Sequence, residues 1–445
     1  MNRSFLKIFL SLLWILPLWL RAQEENTVAD EEIAPMTLQD CQLIALEFSP
    51  SLARQRLSYS NLVESVSVAK AIYDPTLQIR RAWEKEEDPK RTSASLRQQL
   101  PAQLDTTLSA RQYEQNGEDY SSYALNLSKT LIGGGSFLEG RLPMERAWIQ
   151  KAMEANRLSL EQRRLGLNVT KDYYAVLRNR LTLRLRELQV ERAKRNLEHA
   201  MIKEDPLDIA TAKLRIPESE LEVISAKRAI ANGRLTLTQR IGLPVGQPVN
   251  VNTQLVFEVR AIHPEQDLIV ALEKHETIMN ARLDLELNHM EAKVARTRAW
   301  PELRAEATWE ETNTPSDTNS DVRAELVLEL PWLDRKDRAE ARQRENELKQ
   351  SELSLFEAQQ EVEQNLKSMA VQVMEAERSV VLQTERVEVL KQQFRLYQDR
   401  WDNGEINILE FVRSQNDLEN AAVQLVTEQT RYLELRAEYD FNIGK

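Results

Sequence analysis

Strict alternation of apolar and polar residues marks two places in the chain, each bracketed by long runs of helical periodicity. In the later place, Leu303, Ala305, Ala307 and Trp309 alternate with Arg304, Glu306, Thr308 and Glu310. Further on, Val322, Ala324, Leu326, Leu328 and Leu330 alternate with Arg323, Glu325 and Glu329. A period of two predicts a hairpin with one apolar and one charged face. The earlier place has its matching pair near 76–84 and 122–132, where Tyr123, Leu125, Leu127 and Leu131 alternate with Ala124, Asn126, Ser128 and Thr130. About 25 additional residues separate that pair, and within them 95–100 and 105–113 can make another hairpin turned at Pro101.

Before each strand pair the spacing predicts a helix, over 37–72 and 265–298, ended by Asp74-Pro75 and Trp300-Pro301. The residue preceding a proline is pushed out of the helical region, which sets both ends. After the strands come two very long helices, over 136–200 and 336–402, with no proline beyond Pro143 in the first. Some 65 helical residues reach on the order of 100 Å, too long for a compact domain. Return helices over 206–241 and 408–441 complete one long antiparallel hairpin in each half.

The two halves are copies. Laid without a gap on 270–311, residues 44–85 share eleven identities in 42, among them Ala45, Leu46, Arg56, Leu57, Pro75 and Trp83. The unit is too long for a stacked solenoid, so this is a duplicated half. The predicted organisation is a signal peptide 1–22, an N-terminal extension 23–36, a first repeat 37–250 (strands 76–132, helical hairpin 136–241) and a second repeat 251–445 (strands 302–333, helical hairpin 336–441). Arg3 and Lys7, the apolar stretch 8–20 and the exit Leu20-Arg21-Ala22 carry the signal-peptide reading. No later stretch approaches the roughly 20 apolar residues of a spanning helix, so entry into a membrane would have to be made by strands.

Composition narrows the class. Glycine is scarce, 11 in 445, as in long helices that touch along narrow seams. A net charge of −11 excludes a nucleic-acid partner, which would require clustered Lys and Arg. The single cysteine, Cys41, cannot form an internal disulfide and sits at helical spacing from Leu38 and Ala45, as a small buried hydrophobe. No catalytic, cofactor or metal site is expected. Gly133-Gly134-Gly135-Ser136 lacks the lysine of a phosphate loop and falls where a strand turns into a helix, so it is expected to be a flexible joint. His275-Glu276 continues to Met279 where a zinc-protease helix needs a second histidine, and His199, His263 and His289 are scattered.

Four amphipathic strands cannot close a barrel, and an open sheet cannot stand in lipid, so several protomers must share one barrel. Arg304, Glu306, Arg323 and Glu325 would then line water, Leu303, Trp309, Leu326 and Leu328 would face lipid, and Trp309 and Trp332 would lie near strand ends in the interfacial belt. A periplasmic coiled-coil adaptor or scaffold of an export system is the competing class. Adaptors normally hold one helical hairpin per chain, flanking small glycine-bearing β domains.

Several ordered motifs resemble outer-membrane efflux proteins of the TolC type: Leu38-x-x-Cys41-x-x-x-Ala45-Leu46, Ala69 and Ala295 six residues before Pro75 and Pro301, Arg240-Ile241-Gly242-Leu243-Pro244, and Arg400-Trp401-Asp402-Asn403-Gly404 followed by Glu410-Phe411. The resemblance covers nearly all of the mature chain. It implies a mainly α protein with membrane β: a homotrimer whose helical hairpins form a periplasmic α-barrel, and whose strands, four or with the added hairpin six per protomer, enter a shared β-barrel. Four from each of three chains give about twelve. It also implies an outer-membrane channel subunit of a tripartite efflux or type I secretion system, reaching into the periplasm of a Gram-negative-type cell. Its partners would be a periplasmic adaptor (membrane fusion) protein, an inner-membrane RND or ABC transporter, and outer-membrane lipid.

The turns between long and return helices are the expected periplasmic tip. Asp205-Pro206-Leu207-Asp208 and Asn407-Ile408-Leu409-Glu410 stand 202 residues apart, each an N-cap with an acid three residues on. Capping accounts for these residues by itself. By the resemblance, Asp205, Asp208, Arg400, Trp401, Asp402, Gly404 and Glu410 belong to the tip, where threefold repetition of Asp208 and Glu410 would make a cation-favouring constriction. The family's tip glycine is Gly404, and Ile202 stands at its first-half equivalent, which predicts a tighter or differently shaped first turn.

Overall fold

The computed structural model describes residues 35–444 apart from 83–90, 101–103, 116–117, 134–135, 245–246, 248 and 331–334. The signal peptide, most of the N-terminal extension, the Pro101 turn, Gly134-Gly135 and Trp332 lie outside the described residues.

In chain order the elements are α1 (Leu38–Phe48), α2 (Pro50–Lys70), β1 (Thr76–Ala82), β2 (Arg91–Leu100), β3 (Leu104–Gln115), β4 (Glu118–Ile132), α3 (Ser136–Lys203), α4 (Pro206–Ile241), α5 (Pro264–Lys274), α6 (Glu276–Arg298), β5 (Glu302–Asn313), β6 (Thr318–Glu329), α7 (Arg335–Asp402) and α8 (Ile408–Ile443). The long helices α3 and α7 have 68 residues each. Their length is about 100 Å. No described helix is long and apolar enough to cross a membrane.

The helix expected over 37–72 is broken at Ser49, and that over 265–298 at His275, positions that the duplication superposes. At the first break Pro50 pushes Ser49 out of the helical region. Gly242, the left-handed C-cap of α4 at φ 81°, packs on the backbone of the first break, where an added Cβ would lie 2.3 Å from the Phe48 carbonyl oxygen. Pro50 then opens α2, and the His275 imidazole caps α6 by accepting from the Thr277 N–H at 3.4 Å.

The halves have separate cores. In the first, α1, α3 and α4 enclose Cys41, Ala45, Val169, Leu177, Leu237 and Ile241 together with Val249 and Val251. Burial, with Asp40 beside it, pushes the Cys41 thiol up to about 11. In the second, Ile278, Leu366, Val373, Tyr432 and Tyr439 pack between α5, α6, α7 and α8. Polar pairs join α3 to α8 across the halves: Lys171 to Glu438 at 2.7 Å, Arg192 to Glu419 at 3.1 Å, and Asn196 donating to Gln415 at 2.9 Å. The pair open to solvent on both sides, Lys171 with Glu438, adds at most about 1 kcal/mol, so these contacts fix register while the apolar seams hold the hairpins.

All described strands form one antiparallel sheet in the order β1-β2-β3-β4-β5-β6. The hairpin over 91–115 is therefore built into the sheet, which has six strands among the described residues rather than four.

Candidate functional site

The sheet register sorts side chains into two faces. Leu303 stands opposite Leu328, Ala305 opposite Leu326 and Trp309 opposite Val322, all on one face. Arg304 opposite Val327, Glu306 opposite Glu325 and Thr308 opposite Arg323 occupy the other. β4 adds Leu125 and Leu127 to the apolar face and Asn126 and Ser128 to the polar one. Trp309 is well inside β5 rather than at its end, because the strand continues to Asn313.

The polar face carries its own charge pairing. Arg304 contacts Glu302 at 2.9 Å and Glu306 at 3.6 Å, and Arg323 contacts Asp321 at 2.8 Å. On the apolar face, Val322 (73%), Leu326 (71%) and Ile79 (69%) remain largely exposed in the single chain. Such exposure along a sheet face is a sign of a missing covering, whether lipid or protein.

Where the sheet meets the helices, β4 ends in a bulge between Thr130 and Ile132, then Gly133 at φ 81°. A Cβ on Gly133 would lie 2.0 Å from the Pro301 carbonyl oxygen. Gly133 is thus a point of close backbone approach to the start of β5, and the flexible-joint reading does not hold for it. Nearby, Arg298 of α6 pairs with Glu139 of α3, and the buried Glu291 accepts from both Arg146 at 2.6 Å and Arg344 at 2.7 Å.

At the far end of the helices the two turns meet in a small apolar cluster. Ala200 (α3), Ala212 (α4), Trp401 (α7), Ile408 and Phe411 (α8) are buried together, with Leu197, Ile209 and Phe394 against them. Trp401, grouped by sequence with the tip, is only 3% exposed and is the anchor of this cluster. Asp402 and Gly404 are exposed, and Arg400 contacts Glu405 at 3.4 Å.

Both caps are present, with different geometry. Asp205 accepts from the Leu207 N–H at 2.8 Å, whereas Asn407 accepts from the Glu410 N–H at 3.0 Å. The two acids also separate: Glu410 is exposed, but Asp208 is buried, so the pair does not form the equivalent surface that the 202-residue offset suggests. The first turn is the tighter one, Glu204 and Asp205 alone linking α3 to α4, against residues 403–407 in the second. Each turn uses one left-handed residue, Gly404 at φ 75° and Glu204 at φ 57°. The first half therefore makes its reversal two residues later than Ile202 and without glycine; no sequence signal marked Glu204.

Residues 269–438 match the family model described as outer membrane efflux protein. No curated protein matches the sequence. The chain is similar in structure to the outer membrane protein VceC of Vibrio cholerae, with a TM-score of 0.69 and 14% identity over 92% of this chain and 96% of that one. It is also similar to the MtrE outer membrane channel of Neisseria gonorrhoeae in its open state (TM-score 0.68, 16% identity, 92% and 88% coverage). The CmeC outer membrane channel of Campylobacter jejuni gives a TM-score of 0.67 at 12% identity, with 94% and 90% coverage. At these identities the likeness is one of fold. Over residues 269–438 the sequence matches the model of an outer-membrane transport family, and along nearly its whole length the chain has the fold of these outer-membrane channels.

Proposed function

We propose that the chain is one protomer of a trimeric outer-membrane duct of a tripartite efflux or type I secretion system. The observation that carries this reading is the sheet itself: amphipathic, open at both edges, and joined at one end to helical hairpins about 100 Å long. An open edge cannot face lipid, because its N–H and C=O groups have no water to bond, and closure by further copies removes every edge. Leu303, Trp309, Leu326 and Leu328 then meet lipid, and Arg304, Glu306, Arg323 and Glu325 line the water-filled lumen.

The hairpins extend the lumen through the periplasm to a tip formed by the turns at 204–205 and 403–407. There Glu410, with Asp205, Asp402 and Glu405 around it, supplies repeated exposed negative charge that favours cations at the mouth. Arg400, Trp401 and Gly404 hold the second turn in shape, and Asp208 is buried at the start of α4. Exposed Ile202, Leu207 and Leu409 offer apolar contact at the same end for a periplasmic adaptor, through which an RND or ABC pump would be engaged. Native mass measurement in detergent, with outer-membrane fractionation, tests the reading. A trimer in that fraction is expected, and a detergent-independent monomer would overturn it.

A further inference from the structure

The β2–β3 hairpin is more than the duplication requires. The 226-residue offset sets Thr76 of β1 on Glu302 of β5, so β1 and β4 are the first-half counterparts of β5 and β6, and β2–β3 is inserted between them. A hairpin added as a surface loop would leave β1 paired with β4. Instead β1 pairs with β2, and β4 with β3 over twelve positions.

The insertion continues the apolar face through the pairs Ala94–Ala110, Leu96–Leu108 and Leu100–Leu104, with Gln98–Thr106 polar among them. One cross-strand row runs Leu77, Leu96, Leu108, Leu125, Trp309, Val322, one apolar residue from each of the six strands. The adjacent row on the opposite face runs Thr76, Arg97, Thr107, Asn126, Thr308, Arg323, all polar. A hairpin exposed to water on both sides has no need of an apolar face in register with its neighbours, whereas a strand pair in a membrane wall must have one.

Resting on the reading of the chain as one protomer of a trimeric duct, we propose that β2–β3 is part of the membrane wall and that three copies close a barrel of eighteen strands, six from each. The occupant of each free edge is a second copy: β6 of one protomer joins β1 of the next. Strand direction permits this, since six alternating strands leave β6 antiparallel to the neighbouring β1. Charge favours it as well. The polar face of β5–β6 holds Glu302, Glu306, Glu310, Asp321, Glu325 and Glu329 against Arg304 and Arg323, and that of β1–β3 holds Arg80, Arg91, Arg97 and Arg111 against Asp105. Joining the edges sets the acidic side of one copy beside the basic side of the next.

Barrel diameter grows roughly linearly with strand number, so the wall is about 1.5 times as wide as a four-strand-per-chain barrel. A ring of that size leaves an open aqueous channel, which moves the narrowest point of the duct to the helical tip.

Cryo-electron microscopy of the purified protein in nanodiscs tests this directly, and eighteen strands around the threefold axis are the expected result. A trimer with twelve strands and β2–β3 projecting from the wall would overturn the inference while leaving the duct reading intact; failure to find any trimer would overturn both. In the outer membrane of intact cells, Ile79→Cys with Ala94→Cys, and Ala110→Cys with Tyr123→Cys, each in a Cys41→Ala background, are expected to form disulfides. Reaction of neither pair in chains that still form trimers would place the hairpin outside the wall and overturn the proposal.

Discussion

Trp401 lies flat against Phe411, their ring centroids 5.7 Å apart and their planes 9° from parallel. The stack ties the last turn of α7 to the first turn of α8, and Phe394 supports it from one side at 5.6 Å. A five-residue turn is thereby held at the end of two long helices.

Trp401→Ala removes that anchor. Loss of a buried aromatic costs about 3 to 5 kcal/mol of local stability, while Trp401→Phe keeps much of the stack and costs less. Limited proteolysis should cut the alanine variant rapidly within 403–407, with thermal unfolding of the rest of the protein nearly unchanged.

Glycine positions separate conformational cost from steric cost. Gly404 has open space around a notional Cβ, so Gly404→Ala should lose only about 1 kcal/mol, from its left-handed backbone. Gly242→Ala places a methyl against the Phe48 carbonyl as well and should be clearly the more damaging. Glu204→Gly relieves a left-handed non-glycine and is expected to be neutral or mildly stabilising. Thermal denaturation of the three variants gives the order; equal losses at 404 and 242 would contradict the packing account.

The exposed and buried acids of the tip should respond differently. Glu410→Gln removes charge from the surface, so cation preference in bilayer recordings at low salt should fall with folding intact. Asp208→Asn, at a buried position, should change stability more than selectivity. Unaltered selectivity in Glu410→Gln would leave that residue as part of an ordinary helix start.

The two sheet faces should tolerate charge unequally. Leu326→Arg places a cation on the apolar face and should cost about 2 to 4 kcal/mol if the site is at mid-bilayer, reducing trimer yield in the outer membrane. Arg323→Lys should assemble normally. Similar yields for both would mean that the faces are reversed.

His275 gives a pH dependence with a definite sign. Burial, the largest influence on it, lowers its pKa below the ordinary value of 6.5. The folded protein then binds fewer protons there than the unfolded chain, so stability rises with pH and is lost as pH falls below about 6.5. The slope from this group cannot exceed about 1.4 kcal/mol per pH unit. His275→Asn retains an acceptor for the Thr277 N–H and should flatten stability between about pH 7 and 5, as read from denaturation midpoints.

The sequence by itself determined the elements and their duplication. Alternation over β5 and β6, the prolines at 75 and 301 that stop helices, and long proline-poor runs are all local signals, because a backbone's period and its breakers act within a few residues. What required the tertiary structure was everything set by distant neighbours. The break at Ser49 has a local signal in Pro50, but that at His275 has no proline behind it, and the seat of Gly242 on the Phe48 carbonyl joins residues almost 200 apart in the chain. Likewise, nothing local distinguishes Asp208 from Glu410, since each is an acid three residues after a cap; only the packing of α3 and α4 against α7 and α8 buries one and exposes the other. The place of β2–β3 was open for the same reason. Alternation tells a strand which residues share a face, but edge pairing is made by backbone groups that every residue has, so which strand lies beside which is decided by the sheet as a whole.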